Sequence, residues 1–424
     1  MQDWVDPRAR LTDAARSGAG VAWAGLVSLA VGMGVGRFAF TPLLPMMLSD
    51  GVLTLAAASA MASANYLGYL VGALACTVQP WLWRHRPAWR ALDPAALVRG
   101  GLVATSVLTM AMAVAVPALW PALRFAAGAA SAVVLVHTSG WCLSRLAERG
   151  ASALGGVVFA GPGAGIVVSG LLASAMVACG WRGAAGWWVF GALALALTVV
   201  VWPRFAPQAA PGPMRPVPAP APPGTAHAHT DGAASAAELA ALALAYGLAG
   251  FGYIVTATYL PVIARTAVPG SAWLDLFWPI FGVGVVAGAL WSTRWRRHGD
   301  ARWLLSAAYL VQAGGIGLGL WMPRAAGLAL GSLLLGMPFT AITLFVLQEV
   351  RRQRPRHAAS GIGLLTAMFG IGQIAGPAMV SRVLQHSATR ALGFDRALQL
   401  AIGALLLGAG LHAWAALAHP MRRA

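Results

Sequence analysis

"VGMGVGRFAFTPLLPMM", residues Val31–Met47, is apolar enough to lie in a membrane, yet it holds Gly32, Gly34, Gly36, Pro42, Pro45 and an arginine, Arg37. A G-x-G-x-G run can cradle a dinucleotide phosphate, but only in a turn between a strand and a helix. No strand-like run precedes this one, and the apolar stretch around it, 21–47, is long enough to cross a bilayer. Read as a helix, it carries Arg37 roughly 16 residues in, about 24 Å from its start and past the midplane. A guanidinium facing lipid there costs at least a few kcal/mol, so Arg37 is expected to face protein or a polar cavity. Gly32 and Gly36 form a packing stripe turned about 100° from it, and Thr41, four residues on, shares its face. Pro42 and Pro45 remove backbone donors and allow the helix to bend where neighbours satisfy the freed carbonyls.

The rest of the chain agrees with a membrane. Of 424 residues 59% are hydrophobic and 10% charged, and mean hydropathy is +0.71; soluble domains carry about a quarter charged residues. The formal charge of +17 invites a nucleic-acid reading. The arginines nevertheless fall in short clusters between long apolar runs, so no nucleic-acid partner is expected. Cys76, Cys142 and Cys179 stand singly in or beside apolar runs and read as packing residues. Hydropathy predicts an all-α protein of twelve transmembrane helices, at 21–47, 54–78, 96–116, 118–142, 153–178, 182–202, 237–264, 272–293, 302–322, 325–348, 358–383 and 394–418. The expected organisation is an N-terminal tail (1–20), a six-helix bundle (21–203), a Pro/Ala-rich linker (204–236) and a second six-helix bundle (237–420). With both termini and the linker inside, twenty-one arginines lie on the inner side and six in the outer loops. Three of those six surround the start of the last helix. The positive-inside rule therefore places both termini in the cytoplasm.

The two halves repeat. Gly34, Gly36 and Pro45 recur 216 residues later as Gly250, Gly252 and Pro261 in "GFGYIVTATYLP", and "GYLVGAL" (68–74) recurs at the same offset as "GVVAGAL" (284–290). Gly155, Gly161 and Pro162 match Gly370, Gly376 and Pro377 at offset 215. Parallel six-helix repeats build transporters whose substrate site lies between the halves.

"GVGRFAFTPLLPMM" and "YGLAGFGYIVTATYLP" resemble the YbfB/YjiJ-type branch of the major facilitator superfamily (MFS), and the resemblance covers the chain apart from its termini and linker. It implies the two-bundle MFS fold, alternating access and a bacterial inner membrane, but no substrate. It also implies that the first, fourth, seventh and tenth helices line the cavity. One departure is clear. The acidic "GxLaDrxGr" loop of many relatives is replaced by "GALACTVQPWLWRHRPAWR" (72–90), and its repeat "GALWSTRWRRHGDAR" (288–302) has no aspartate at the usual spacing.

Candidate substrate-binding residues follow. Arg37 and Thr41 come from the first helix. Arg124 opens "RFAAGAASA", which resembles the superfamily's fourth-helix arginine motif; its spacing puts Ser131 on the same face, and snorkelling to the interface is the alternative. Tyr253 holds the repeat position of Arg37 in the seventh helix, with Tyr246 on its face and Thr256 near it. Phe339 and Thr343 share a face with Ser332 in the tenth. The helix-bend and packing candidates are Gly32, Gly36, Pro42, Pro45, Gly161, Pro162, Pro261, Gly376 and Pro377; "GGVVFAGPGAGI" (155–166) only half-matches the antiporter pattern. His137 points away from Arg124. All twelve acids lie in loops or at helix ends, Asp275 and Glu349 included, and Glu349 is expected to pair with the arginines after it. His227 and His229 alone do not make a metal site. No cofactor, metal or catalytic constellation is read, so an enzyme is not expected.

The expected function is a secondary transporter for a small organic solute, anionic or zwitterionic because a positive charge is embedded without a negative one. Its setting is the lipid bilayer of a bacterial inner membrane, with protons as a candidate coupling ion, and it is expected to act as a monomer. The rival is a proton-coupled efflux pump for amphipathic or cationic drugs, suggested by the aromatics and the partial fifth-helix motif. A non-transporting sensor on the same scaffold is a distant third.

Overall fold

The computed structural model describes residues 7–85, 93–114, 116–205, 236–271, 273–292, 300–354 and 358–420. Most of the expected linker, with His227 and His229, lies outside them. Among the described residues all regular structure is helical. Eleven helical stretches are long and apolar enough to cross a membrane: Gly18–Ser49, Leu55–Gln79, Pro94–Ala111, Pro117–Glu148, Ser152–Ala178, Gly183–Phe205, Ala236–Ala267, Ala301–Trp321, Ala325–Gln353, Ser360–Gln385 and Arg390–Ala418. The shorter apolar helix Phe277–Ser292 completes twelve, as the eighth in order. They are called the first to twelfth spans below. Their outer surfaces are apolar, with Val107, Trp188, Val199, Leu407 and Leu417 more than half exposed. Such a surface is stable against lipid, not water.

Local chemistry sets the ends. Asp93 and Asp300 cap the third and ninth spans, their side chains accepting from the N–H groups of Ala95 (3.3 Å) and Arg302 (2.9 Å). Gly51 and Gly270, at φ +70° and +78°, close the turns after the first and seventh spans, a left-handed conformation that glycine adopts without penalty. The halves thus repeat in their turns as well as in their helices.

Glycines set the packing in the same way. A Cβ on Gly68 would lie 1.9 Å from the Phe125 carbonyl oxygen, so the second span touches the fourth backbone to backbone. At the repeat position, a Cβ on Gly284 would lie 2.3 Å from the Leu333 oxygen, between the eighth span and the tenth. Across the halves, the second span packs on the eleventh and the fifth on the eighth, the pairing a two-fold axis between the bundles requires. The part of the first span nearer Ser49 packs on the seventh.

The first span is not one regular helix. Pro7–Leu29 is α-helical, Ala30–Val35 is a π-helix, and Gly36–Ala39 form turns before the helix Phe40–Ser49 begins. The wider turn shows in the bonds from Gly36 N–H to the Val31 oxygen (2.8 Å) and from Phe38 N–H to the Met33 oxygen (3.2 Å). Pro42, lacking an N–H, has nothing to give the Phe38 oxygen, which accepts instead from Thr41 N–H at 3.1 Å. The fifth span breaks similarly at Ala160, just before Gly161 and Pro162. Pro261 and Pro377 instead sit inside helices that continue through them.

Candidate functional site

Arg37 sits in the turn between the π-helix and Phe40–Ser49, and it is 3% exposed. Its Nη2 donates to Gln373 Oε1 of the eleventh span at 2.7 Å. Its guanidinium carbon lies 4.0 Å from the ring centre of Tyr69, 5.2 Å from Tyr66 and 5.4 Å from Phe38. Its Nε has no hydrogen-bond partner, and no salt bridge reaches it among the described residues. Aromatic faces stabilise a desolvated cation by about 0.5–2 kcal/mol each. Three of them, with one charge-assisted bond, are comparable to the few kcal/mol that burial at this depth costs. The guanidinium is therefore held, but its charge is not neutralised.

Arg124 braces this turn. Its Nη1 donates to the Gly36 oxygen at 3.2 Å and its Nη2 to the Arg37 oxygen at 2.8 Å, satisfying carbonyls that the broken helix leaves open. Phe40 and Trp187 rings lie 5.2 and 5.9 Å from its guanidinium carbon. Asn65 Nδ2 in turn donates to the Arg124 oxygen at 2.8 Å. The second and fourth spans thus fix the backbone that carries Arg37.

The opposite wall comes from the second half. Gln373 Nε2 donates to the Tyr253 hydroxyl in a short bond, which joins the repeat-related positions 37 and 253 through one amide. The Tyr253 ring lies 5.0 Å from Phe339 and 5.8 Å from Phe369, and Tyr246 stacks on Phe369 at 4.5 Å. The Tyr246 hydroxyl donates to Thr343 Oγ1 at 3.2 Å. Gln373 and Tyr253 are 0% and 2% exposed, so the centre is closed.

Further bonds join the halves on the side of Arg37 remote from the chain ends. Thr41 Oγ1 donates to the Ala257 oxygen at 3.0 Å, between residues one repeat apart. The Tyr66 and Thr258 hydroxyls are 2.8 Å apart, and those of Ser59 and Tyr259 2.5 Å apart. Ser63 Oγ donates to the Ile374 oxygen at 3.2 Å.

Not every candidate joins this centre. Arg37, Thr41, Tyr246, Tyr253, Phe339 and Thr343 do, and Arg124 acts on its backbone. Ser131 donates to the Gly128 oxygen of its own helix at 2.8 Å. Thr256 and Ser332 line a small cavity of about 20 Å³ within the second half, and Thr256 Oγ1 has no partner. Gly32 and Gly36 pack on Val134 of the fourth span and Thr105 of the third. His137 lies in a groove beside Cys76 and Gln79. Asp275 pairs with Arg265, and Glu349 with Arg352 at 2.5 Å. Sequence reasoning missed Gln373, Tyr66, Tyr69, Asn65 and Phe369. The available signal was Gln373 itself, an amide inside an apolar span.

A protein-family model described as "Uncharacterised MFS-type transporter YbfB" matches residues 29–413. The chain belongs to that family. It is therefore a multi-pass membrane transporter of the MFS type, for which a small-molecule substrate and a lipid surround are the working partners. Among solved structures, a mutant of the nucleoside transporter NupG aligns with a TM-score of 0.69 at 13% identity, covering 93% of this chain and 99% of that one. A second NupG structure gives 0.63 at 14% identity, covering 93% and 98%. At such identities the likeness is one of fold. No curated protein matches the sequence.

Proposed function

We propose that this chain is a secondary transporter that carries a small organic anion or zwitterion, such as a carboxylate, across the bacterial inner membrane by alternating access. Arg37 carries the reading: a guanidinium 3% exposed, with an idle Nε and no carboxylate partner among the described residues. A buried cation of this kind favours an anion as its missing partner. The bonds of Thr41, Ser59, Ser63 and Tyr66 close the side remote from the termini. With the termini cytoplasmic, as the arginine distribution favours, this conformer is sealed towards the outside. Rocking the halves about Arg37 would break those bonds and open the other face. A proton is the natural coupling ion to test, the expected unit is the monomer, and no enzymatic step is assigned.

The aromatic wall of Tyr69, Tyr246, Tyr253, Phe339 and Phe369 favours one second reading, efflux of amphipathic or cationic drugs. The uncompensated charge of Arg37 opposes it. A thermal-stability screen of the full chain in detergent decides, using benzoate, succinate and glutamate against tetraphenylphosphonium and amphipathic amines. A ligand at a hundredfold excess over Kd stabilises by about 2.7 kcal/mol. The expected result is a carboxylate shift in the wild type that is lost in Arg37→Ala. Equal shifts by cations in both proteins would overturn the anion reading in favour of efflux.

A further inference from the structure

We propose that Gln373 is a built-in stand-in for the substrate: its side-chain carbonyl holds the anion position on Arg37 in the empty carrier, and a substrate carboxylate displaces it. The inference rests on Arg37 being the anion receptor. Arginine has only donors, so the amide must present its oxygen to Arg37 and its NH2 to Tyr253. Chemistry, not the choice of rotamer, therefore fixes the orientation of this amide.

In that orientation the amide only half-fills the position it occupies. One neutral oxygen engages Nη2 of Arg37, while Nε, buried alongside it, donates to nothing. Tyr253 accepts from Gln373, and its own hydroxyl hydrogen remains available for donation. A carboxylate has two oxygens and a full charge. It can take Nη2 and Nε together in the two-pronged geometry that a single amide oxygen cannot reproduce. Exchange of the amide for a carboxylate thus replaces a charge–dipole contact with a paired charge, and it names the ligand class as a planar two-oxygen anion.

The position of Gln373 gives the exchange a consequence. Arg37 belongs to the first half and Gln373 to the second, three residues before Gly376–Pro377. Their bond is one of those that tie the halves together. An arriving carboxylate breaks it, so occupancy of the site is linked to freedom of the halves to move. A glutamate at 373 would neutralise Arg37 permanently and leave nothing for a substrate to do. The amide holds the arginine without satisfying it.

The test uses the full chain in detergent, as wild type, Gln373→Glu and Gln373→Leu, probed with benzoate, succinate and glutamate. Without ligand, the melting temperatures should rank Gln373→Glu above wild type and wild type above Gln373→Leu. A carboxylate that stabilises the wild type should bind Gln373→Leu several-fold more tightly, because its competitor is gone. It should shift Gln373→Glu not at all. If Gln373→Leu instead binds about ten- to a hundredfold more weakly, Gln373 is a direct substrate ligand and the stand-in is overturned. Wild-type-like binding by Gln373→Glu overturns it too. Should no carboxylate shift the wild type while cations do, the anion reading itself falls; an unchanged melting order would then leave Gln373 as a structural partner of Arg37 only.

Discussion

Arg302 and Arg37 are equally hidden, at 1% and 3% exposure, and they are held in opposite ways. Arg302, at the start of the ninth span, gives Nε and Nη2 to Asp300 (3.0 and 2.7 Å) and Nη1 to Glu238 (3.1 Å). It also reaches the carbonyls of Ala415 and His419, both at 2.8 Å. Glu238 is shared with Arg352 at 2.8 Å, and Arg352 with Glu349. The seventh, ninth, tenth and twelfth spans are thereby joined at the end nearer the termini, with every guanidinium nitrogen of Arg302 engaged. Arg37 has one neutral oxygen, three aromatic faces and an idle Nε. Arg302, which fastens helices, is saturated by its own protein. Arg37 keeps Nε in reserve, as Arg124 does, but Arg124 gives its other two nitrogens to backbone carbonyls.

The largest effect that could break this contrast is the loss of Arg302. Arg302→Ala would strip Asp300 of its guanidinium, take one cationic partner from the buried Glu238 and remove the bonds to the Ala415 and His419 carbonyls, at a cost of about 3–5 kcal/mol. The expected outcome is a sharply lower melting temperature in detergent, with carboxylate binding retained by whatever fraction stays folded. If the melting temperature held and binding vanished instead, Arg302 would be part of the site and the division of labour would be wrong.

Arg37→Met should behave in the reverse manner. It keeps an unbranched apolar stem and removes a charge that no carboxylate neutralises, and apolar replacement of buried charge is often neutral or stabilising. The change nevertheless leaves the buried Gln373 oxygen without its donor, so stability is expected to fall by about 1–3 kcal/mol, less than in Arg302→Ala, while the shift caused by carboxylates disappears. A loss as large as that of Arg302→Ala would make Arg37 a fastener as well.

Much of the frame behind this comparison was legible before any coordinates. Twelve spans follow from apolar run length, and the pairing of Gly68 with Gly284 follows from one offset; both glycines then touch backbone in the structure. Burial of Arg37 follows from the cost of the alternative. Its partner was not legible, because Gln373 lies 336 residues away in the other half, and periodicity within one helix says nothing about register between bundles. The π-helix at Ala30–Val35 was hidden for a related reason. Counting faces at 100° per residue assumes a regular helix, and the bonds that widen this one depend on packing against the fourth and fifth spans. The role of Arg124 was half visible: its residue type announced a buried charge, but only the broken turn at Gly36–Ala39 shows what it serves.

The smallest effect separates the two arginines by pH. Asp300 lies just outside the ninth span; burial raises its carboxyl, but the hydrogen bonds and charge of Arg302 more than offset this, so its pKa falls below the usual 3.8. A folded-state pKa below the unfolded one means stability fully present above about pH 4 and lost as pH falls through the folded value. The contribution should stay below about 1 kcal/mol, since this carboxylate sits at the water-facing end of the helix. No carboxylate pairs with Arg37 among the described residues, so its surroundings have no corresponding group to titrate. Melting curves from pH 7 to about pH 3 should therefore steepen at the acid end in the wild type and in Arg37→Met alike. Asp300→Asn should flatten that fall. If Arg37→Met flattened it instead, a carboxylate would have to reach the centre of the molecule, and Arg37 would be a paired arginine like Arg302.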